Sequence, residues 1–197
     1  DLDLVSEVMT YNASQGKPAY AAIINRLDRP VSGLVLIAKN KSAAAKYSTL
    51  MQKEGGFNKQ YEALICGKLS ELKGTFVDYL KKDGRTNTSA IVPADAAAND
   101  KEAKLSKLEY EVISYDEVKD ITHVRIHLIT GRHHQIRVQF ASRRHPLVGD
   151  YKYATAYCGM DNAVKAVALK RNQIALCAVS LTIDNKTFSV TPDFVIN

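Results

Sequence analysis

The chain has 197 residues, 46% of them hydrophobic and 24% charged, enough for one domain with a sizeable core or one domain of two lobes. No apolar run approaches the ~18 residues of a membrane span and no signal-peptide pattern opens the chain, so no membrane role is expected. The formal net charge of +6 favours an anionic partner without identifying it.

Residues 1 to 22 are of mixed character, with a turn signal at Ser14-Gln15-Gly16-Lys17-Pro18. Asn25-Arg26-Leu27-Asp28-Arg29-Pro30-Val31-Ser32-Gly33 follows, and Gly33 to Ala38 reads as a strand covered on both faces. Asn40 or Ser42 caps a helix running to about Lys53, with Ala43, Tyr47, Leu50 and Met51 on one face and Gly55-Gly56 ending it. Lys59 to Cys66 is the next strand, and its alternation sends Tyr61 and Glu62 to opposite sides. Thr75 to Leu80 is another strand. Residues 81 to 104, polar and with the run Ala94 to Asp100 rich in Ala, Asn and Asp, read as a mobile surface excursion.

Two further strands are expected near Leu105 to Tyr115 and Thr122 to Ile129; in the second, Val124, Ile126 and Leu128 share a face. Thr130-Gly131 marks a switch to a helix over roughly Arg132 to Ser142. Helical spacing puts His134, Arg137 and Val138 on one side and Ile136 and Phe140 on another. A strand pair, Ala175 to Ile183 and Thr187 to Thr191, closes the pattern. The fold class is therefore α+β, a mainly antiparallel sheet flanked by helices, in a single domain over residues 1 to 197.

Asp28 stands between two guanidiniums, and an opposite charge within a few Å favours the ionised form of a carboxylate. An oriented Asp can be a nucleophile, a general base or an anchor for a cation; it can equally be a surface residue paired locally with Arg26 or Arg29. Residues 123 to 145 hold five Arg and all five His of the chain without one Asp or Glu, a composition suited to a phosphate-facing surface. Within it, Gly131 at a strand-to-helix turn lets backbone N–H groups approach an anion, with Arg132 adding charge. His133 and His134 point about 100° apart on a helix and lack a ligand at i+4, which argues against a metal site. Tyr61 is either a core aromatic or, with Lys59 two residues earlier on the same face, a stacking platform for a base. Cys66, Cys158 and Cys177 form no zinc or disulfide pattern and suit a reducing, cytoplasmic setting.

Three of these segments together resemble the RluA-type RNA pseudouridine synthases. Asn25 to Lys39 is similar to their RLD-containing motif, Lys59-Gln60-Tyr61 to their Lys-x-Tyr motif, and Thr130 to Arg137 with His145-Pro146-Leu147-Val148-Gly149-Asp150 to their GRxHQIR…HPxxGD block. Leu176-Cys177-Ala178 with Leu181 looks like the family's closing strand, so the resemblance covers about residues 23 to 190. The departures are Asn25 where the family has His, Val31 where it has Thr, and Cys177 where His is common. Ahead of residue 23 no Lys-Pro-Ala-Gly-like strand motif is read, nor a small RNA-binding domain; since the first residue is Asp1, a trimmed or partial chain is expected.

The resemblance implies a pseudouridine synthase fold with a central RNA-binding cleft. It implies isomerisation of uridine in ribosomal or transfer RNA after base flipping, without cofactor or metal, by a cytoplasmic monomer. It assigns the essential carboxylate to Asp28, its ion-pair partner to Arg137, and stacking on the target base with help in C5 proton removal to Tyr61. Arg26, Lys59, Arg132, His134, Gln135 and Arg143 are the expected substrate contacts, Arg26 filling the gap left in the RNA. The competing expectation is an RNA-binding module or chaperone that kept the fold and lost activity.

Overall fold

The computed structural model describes residues 3–53, 56–158, 169 and 173–194. In chain order it holds α1 (Leu4–Ser14), β1 (Ala22–Ile23), β2 (Ser32–Gly33), β3 (Ile37–Ala38), α2 (Lys41–Gln52), β4 (Asn58–Cys66), β5 (Lys73–Asp83) and β6 (Thr88–Val92). Then come α3 (Ala94–Ala97), β7 (Lys104–Asp116), β8 (Ile121–Leu128), α4 (Gln135–Ala141), α5 (Tyr151–Cys158), β9 (Leu176–Ile183) and β10 (Lys186–Ser189). One sheet runs in the order β10-β9-β4-β8-β7-β5-β6, with β2 added to β9; β1 and β3 pair separately. Only the β2–β9 pairing is parallel among the described strands. The chain is α+β, as its sequence pattern predicts. No described helix is long and apolar enough to cross a membrane.

Alternation along the central strands builds the core. Tyr61, Ala63 and Ile65 of β4 stand opposite Ile126, Val124 and Thr122 of β8, and Phe76, Leu108 and Tyr110 extend the same apolar face. Onto that floor α4 lays Ile136 and Phe140, the latter meeting Phe76 and Tyr110 edge-on at centroid distances of 5.0 and 5.9 Å, favourable geometries for aromatic rings. All seven residues of α4 are buried. A buried helix carrying Gln, Arg and Gln must satisfy each of them, because an unpaired polar group in the interior is costly.

Asn40 caps α2, its Oδ1 accepting from Ala43 N at 2.8 Å, and Tyr47, Leu50 and Met51 pack toward Phe57, Leu181 and Ile183. The helix ends at Gln52; Gly56 N donates to Lys53 O, and Gly55 lies outside the described residues. Two helices bury few side chains. In α1 the buried residue is Asn12, and Asp3 caps its start through Ser6 N. In α5 only Tyr153 and Ala154 are buried.

Three expectations are corrected. Gly33 to Ala38 is not one strand covered on both faces: Gly33 pairs with Ala178 of β9, Ile37 and Ala38 pair with β1, and residues 34 to 36 cross between the two sheets half-buried. Residues 81 to 104 carry regular structure: β5 continues to Asp83, turns through Asn87 at φ +50°, and returns as β6. Lys81 bridges to Asp100 and Glu102 at 2.8 and 3.0 Å, tying down the return beyond α3. Finally, α4 starts at Gln135 rather than Arg132, because His134 takes a left-handed conformation, φ +53°, at its N-terminus.

Candidate active site

Asp28 sits on a loop whose shape is set from both ends. β1–β3 pairing and the Asn25 side chain close its base: Nδ2 donates to Leu34 O at 3.1 Å, and Oδ1 accepts from Leu36 N at 2.6 Å. Val31 N donates to Asp28 O, making the turn, and Ile174 N donates to Pro30 O. At Gly33, φ is +120°, and a Cβ there would lie 2.5 Å from both N and O of Ala178. Only glycine allows the loop to lie this close on β9.

The loop brings Asp28 to α4. Arg137 Nη1 lies 3.2 Å from Asp28 Oδ2, and His134 Nε2 lies 3.5 Å from the same oxygen. The His134 and Arg137 side chains are 7% and 6% exposed and that of Asp28 24%, so the carboxylate faces the opening. Arg137 is itself held bidentately by Asp150, Nε to Oδ2 at 2.6 Å and Nη2 to Oδ1 at 2.9 Å, and stacks over the Tyr153 ring at 5.0 Å. Burial opposes the guanidinium's charge, but Asp150 and then Asp28 outweigh it and raise its pKa. No ion pair joins Asp28 to Arg26 or Arg29 among the described residues; the local pairing is replaced by one 109 residues away.

Asp28, Tyr61, Arg137, Arg26, Lys59, Arg132, His134 and Gln135 all line one cleft of about 220 Å³. Tyr61 is buried, and its phenol is pushed up to about 12 by burial and by the charge of Asp28. Lys59 is half-buried; burial lowers its pKa, and its ammonium sits 3.4 Å from where a Cβ on Gly131 would stand. Arg132 is anchored by Nε to Leu105 O at 3.0 Å. Gln135 organises the turn: Oε1 accepts from Thr130 Oγ1 and Arg132 N, and Nε2 donates to Lys107 O and to Gln139 Oε1. It shapes the cleft wall more than it offers groups to a ligand.

Arg143 is not brought to the cleft. Its guanidinium takes both oxygens of Asp78, at 3.0 and 3.1 Å, and lies over Phe76 at 4.0 Å. The acid-free stretch 123 to 145 is likewise not one basic surface. Strand alternation sends His123 and Arg125 to Glu62 and His127 to Glu109, on the sheet face away from α4. Arg137 and Arg143 are answered by acids distant in sequence and Arg144 meets the Tyr157 carbonyl, so Arg132, with Arg26 and Lys59, gives the cleft its positive lining. Among the described residues no three His, Cys, Asp or Glu side chains converge as a metal cage.

Several site residues carried no assigned role in the sequence reading. Asp150 lay inside the HPxxGD motif without a function. Tyr153 joins His134 Nδ1 at 2.7 Å and accepts from Ser89 N at 2.8 Å; His133 stacks on His134 at 3.7 Å and meets Ser89 Oγ at 2.9 Å. Of the three motif departures, Asn25 clamps the loop and lines the same cleft as Asp28, as does Val31, which also packs on the core, while Cys177 is buried with Leu64 and Val179.

The family model described as RNA pseudouridylate synthase matches residues 2–142, starting ahead of the motif resemblance at residue 23. Ribosomal large subunit pseudouridine synthase D of Blochmanniella floridana is 36% identical over 135 residues, 68% of this chain and 38% of that protein. The chain thus spans about two fifths of such curated relatives. Among solved structures, human RNA pseudouridylate synthase domain containing 1 superposes with a TM-score of 0.67 at 26% identity, over 88% of this chain and 69% of that one. Human RNA pseudouridylate synthase domain containing 4 reaches 0.72 at 17% identity, over 96% and 78%, a likeness of fold. With more than half its length matched by that model, and its motif residues gathered in one cleft, the chain belongs to the RluA-type RNA pseudouridylate synthase family.

Proposed function

We propose that this chain isomerises uridine in RNA to pseudouridine, with Asp28 as the essential carboxylate. The observation that carries the reading is the Asp28–Arg137–Asp150 series at the floor of a small cleft, facing Tyr61. In the reaction the N1–C1′ bond breaks, the uracil turns, C5 bonds to C1′, and the C5 proton is released while N1 takes one up. Asp28 reacts at the ribose. A cleft of about 220 Å³ is below the ~300–1,000 Å³ of drug-sized sites and suits one flipped base, extruded at a cost of a few kcal/mol. Tyr61 stacks on that base. Its phenol, pushed up to about 12, is protonated at neutral pH, which favours stacking over the role of base for the C5 proton. Arg26, Lys59 and Arg132 meet phosphate or base edges at the rim.

The relatives' names make ribosomal RNA the first substrate to try, with transfer RNA second. We assign the activity to a monomer, in a reducing compartment, the cytoplasm, which the thiols of Cys158 and Cys177 suit. The alternative, an inactive RNA-binding module, is disfavoured by the filled Asp28, Tyr61 and Arg137 positions. Release of tritium from RNA labelled at uracil C5 separates the two. Wild type should release label, and Asp28→Asn should abolish release while RNA affinity stays within a few-fold. RNA binding by the wild type without any release would overturn the proposal.

A further inference from the structure

Both contacts to Asp28 converge on Oδ2, and Oδ1 takes no hydrogen bond or ion pair from the described residues. The direction in which His134 presents its ring proton follows from its other neighbour. Tyr153 is 2% exposed, and its oxygen already accepts from Ser89 N. Among the described residues the phenol hydrogen then has one acceptor within reach, His134 Nδ1 at 2.7 Å. With the proton on Nδ1 instead, that hydrogen would be buried without an acceptor and the Nε2 lone pair would face the Asp28 carboxylate. Both costs vanish with the proton on Nε2.

The surroundings keep the ring neutral. Burial, the Arg137 guanidinium, His133 and Lys152 all oppose an imidazolium and only Asp28 favours one, the net effect holding His134 down to about 4. The ring is also fixed in place: its backbone is held at φ +53°, a region non-glycine residues seldom occupy, and His133 stacks on it at 3.7 Å while bound to Ser89 Oγ. Ser89, on β6, therefore steadies both histidines, one by its hydroxyl and one through Tyr153.

We propose that His134 is a positioning residue whose Nε2–H, fixed by Tyr153, joins Arg137 in holding Asp28 Oδ2 and so leaves Oδ1 as the oxygen that reacts at the ribose. The inference rests on the isomerase reading above. Two measurements test it. Long-range ¹H–¹⁵N correlation on the wild type, with His134 assigned by comparison with His134→Gln, should show a neutral Nε2–H ring at pH 7. Single-turnover tritium release from C5-labelled total RNA should fall about 100-fold in His134→Leu, the scale of a misplaced reacting group, with RNA affinity within about threefold. His134→Gln, which keeps an N–H near Nε2, should recover to within about tenfold of wild type. An Nδ1–H or doubly protonated ring, or equal rates in the Leu and Gln variants, would overturn this role alone and leave the isomerase reading standing. Absence of release from the wild type would overturn both. The ring measurement decides the matter even if the Leu variant does not fold.

Discussion

Replacing Asp150 with Ala isolates the buried half of the site. Asp150 is 1% and Arg137 6% exposed, and two charge-assisted hydrogen bonds join them. Opposite charges about 4 Å apart attract by about 4 kcal/mol at an effective dielectric near 20. After the change, Arg137 keeps one ion pair among the described residues, at 3.2 Å, to a carboxylate that is itself partly in solvent. Breaking a buried pair from one side typically costs about 3–5 kcal/mol. At roughly 2–4 °C per kcal/mol for a chain of this size, the melting temperature should fall by about 6–20 °C. The freed guanidinium should also swing onto both oxygens of Asp28, lowering tritium release further than the loss of folded protein accounts for. If the cost is an orphaned charge, Arg137→Met in the Asp150→Ala background should restore at least half of the lost stability. Additive losses in that double variant, or an Asp150→Ala melting point within about 2 °C of wild type, would refute the reasoning.

Acid should destabilise the fold through His134. Its pKa is held near 4 in the folded chain against about 6.5 unfolded, so the unfolded chain binds the proton first. Stability is full above about pH 6.5 and is lost as pH falls toward 4, by up to about 3 kcal/mol; His133, also lowered by burial, adds in the same direction. Urea titrations between pH 7 and 4 should show this slope flattened in His134→Gln, and an unchanged slope would contradict the assignment. Gly33→Ala should cost about 3 kcal/mol or more, since its Cβ would meet backbone atoms at 2.5 Å, whereas Gly84→Ala, with nothing within 4 Å, should stay within about 0.5 kcal/mol by denaturant melts. Arg132→Ala should weaken RNA binding and reduce the slope of log K against log salt by about one. Arg143→Ala should leave that slope unchanged and cost about 1–2 kcal/mol of stability instead; the reverse pattern would mean the two roles are exchanged.

What could be read from sequence depended on how far apart the interacting residues lie. The α2 cap, the β4 and β8 alternation and the shared side of His134 and Arg137 are local facts, and spacing alone conveys them. The Asp28–Arg137 pairing was legible only because the two residues belong to motifs that resemble one family, since no periodicity links positions 109 apart. Arg143 was assigned to RNA because its true partner, Asp78, is 65 residues away and leaves no trace near it. α1 and α5 were not read as helices, although Leu4, Val5, Val8 and Met9 recur at helical spacing in α1, and with α5 went Tyr153. β6 was hidden by its setting: a five-residue edge strand inside a longer polar stretch reads as a loop, yet its Ser89 reaches the histidines.

The parallel contact of β2 with β9 also has a consequence for when the protein can work. Asp28 is made before the residues that shape its loop, Ile174 and Ala178, which lie about 150 residues downstream. A nascent chain can form the β5–β7–β8 meander, whose contacts are near in sequence, while the carboxylate still lacks its support. Translation must deliver β9 into the gap beside β4 before the cleft closes around Asp28. The cleft is thus incomplete until β9, some 150 residues after Asp28, has been made.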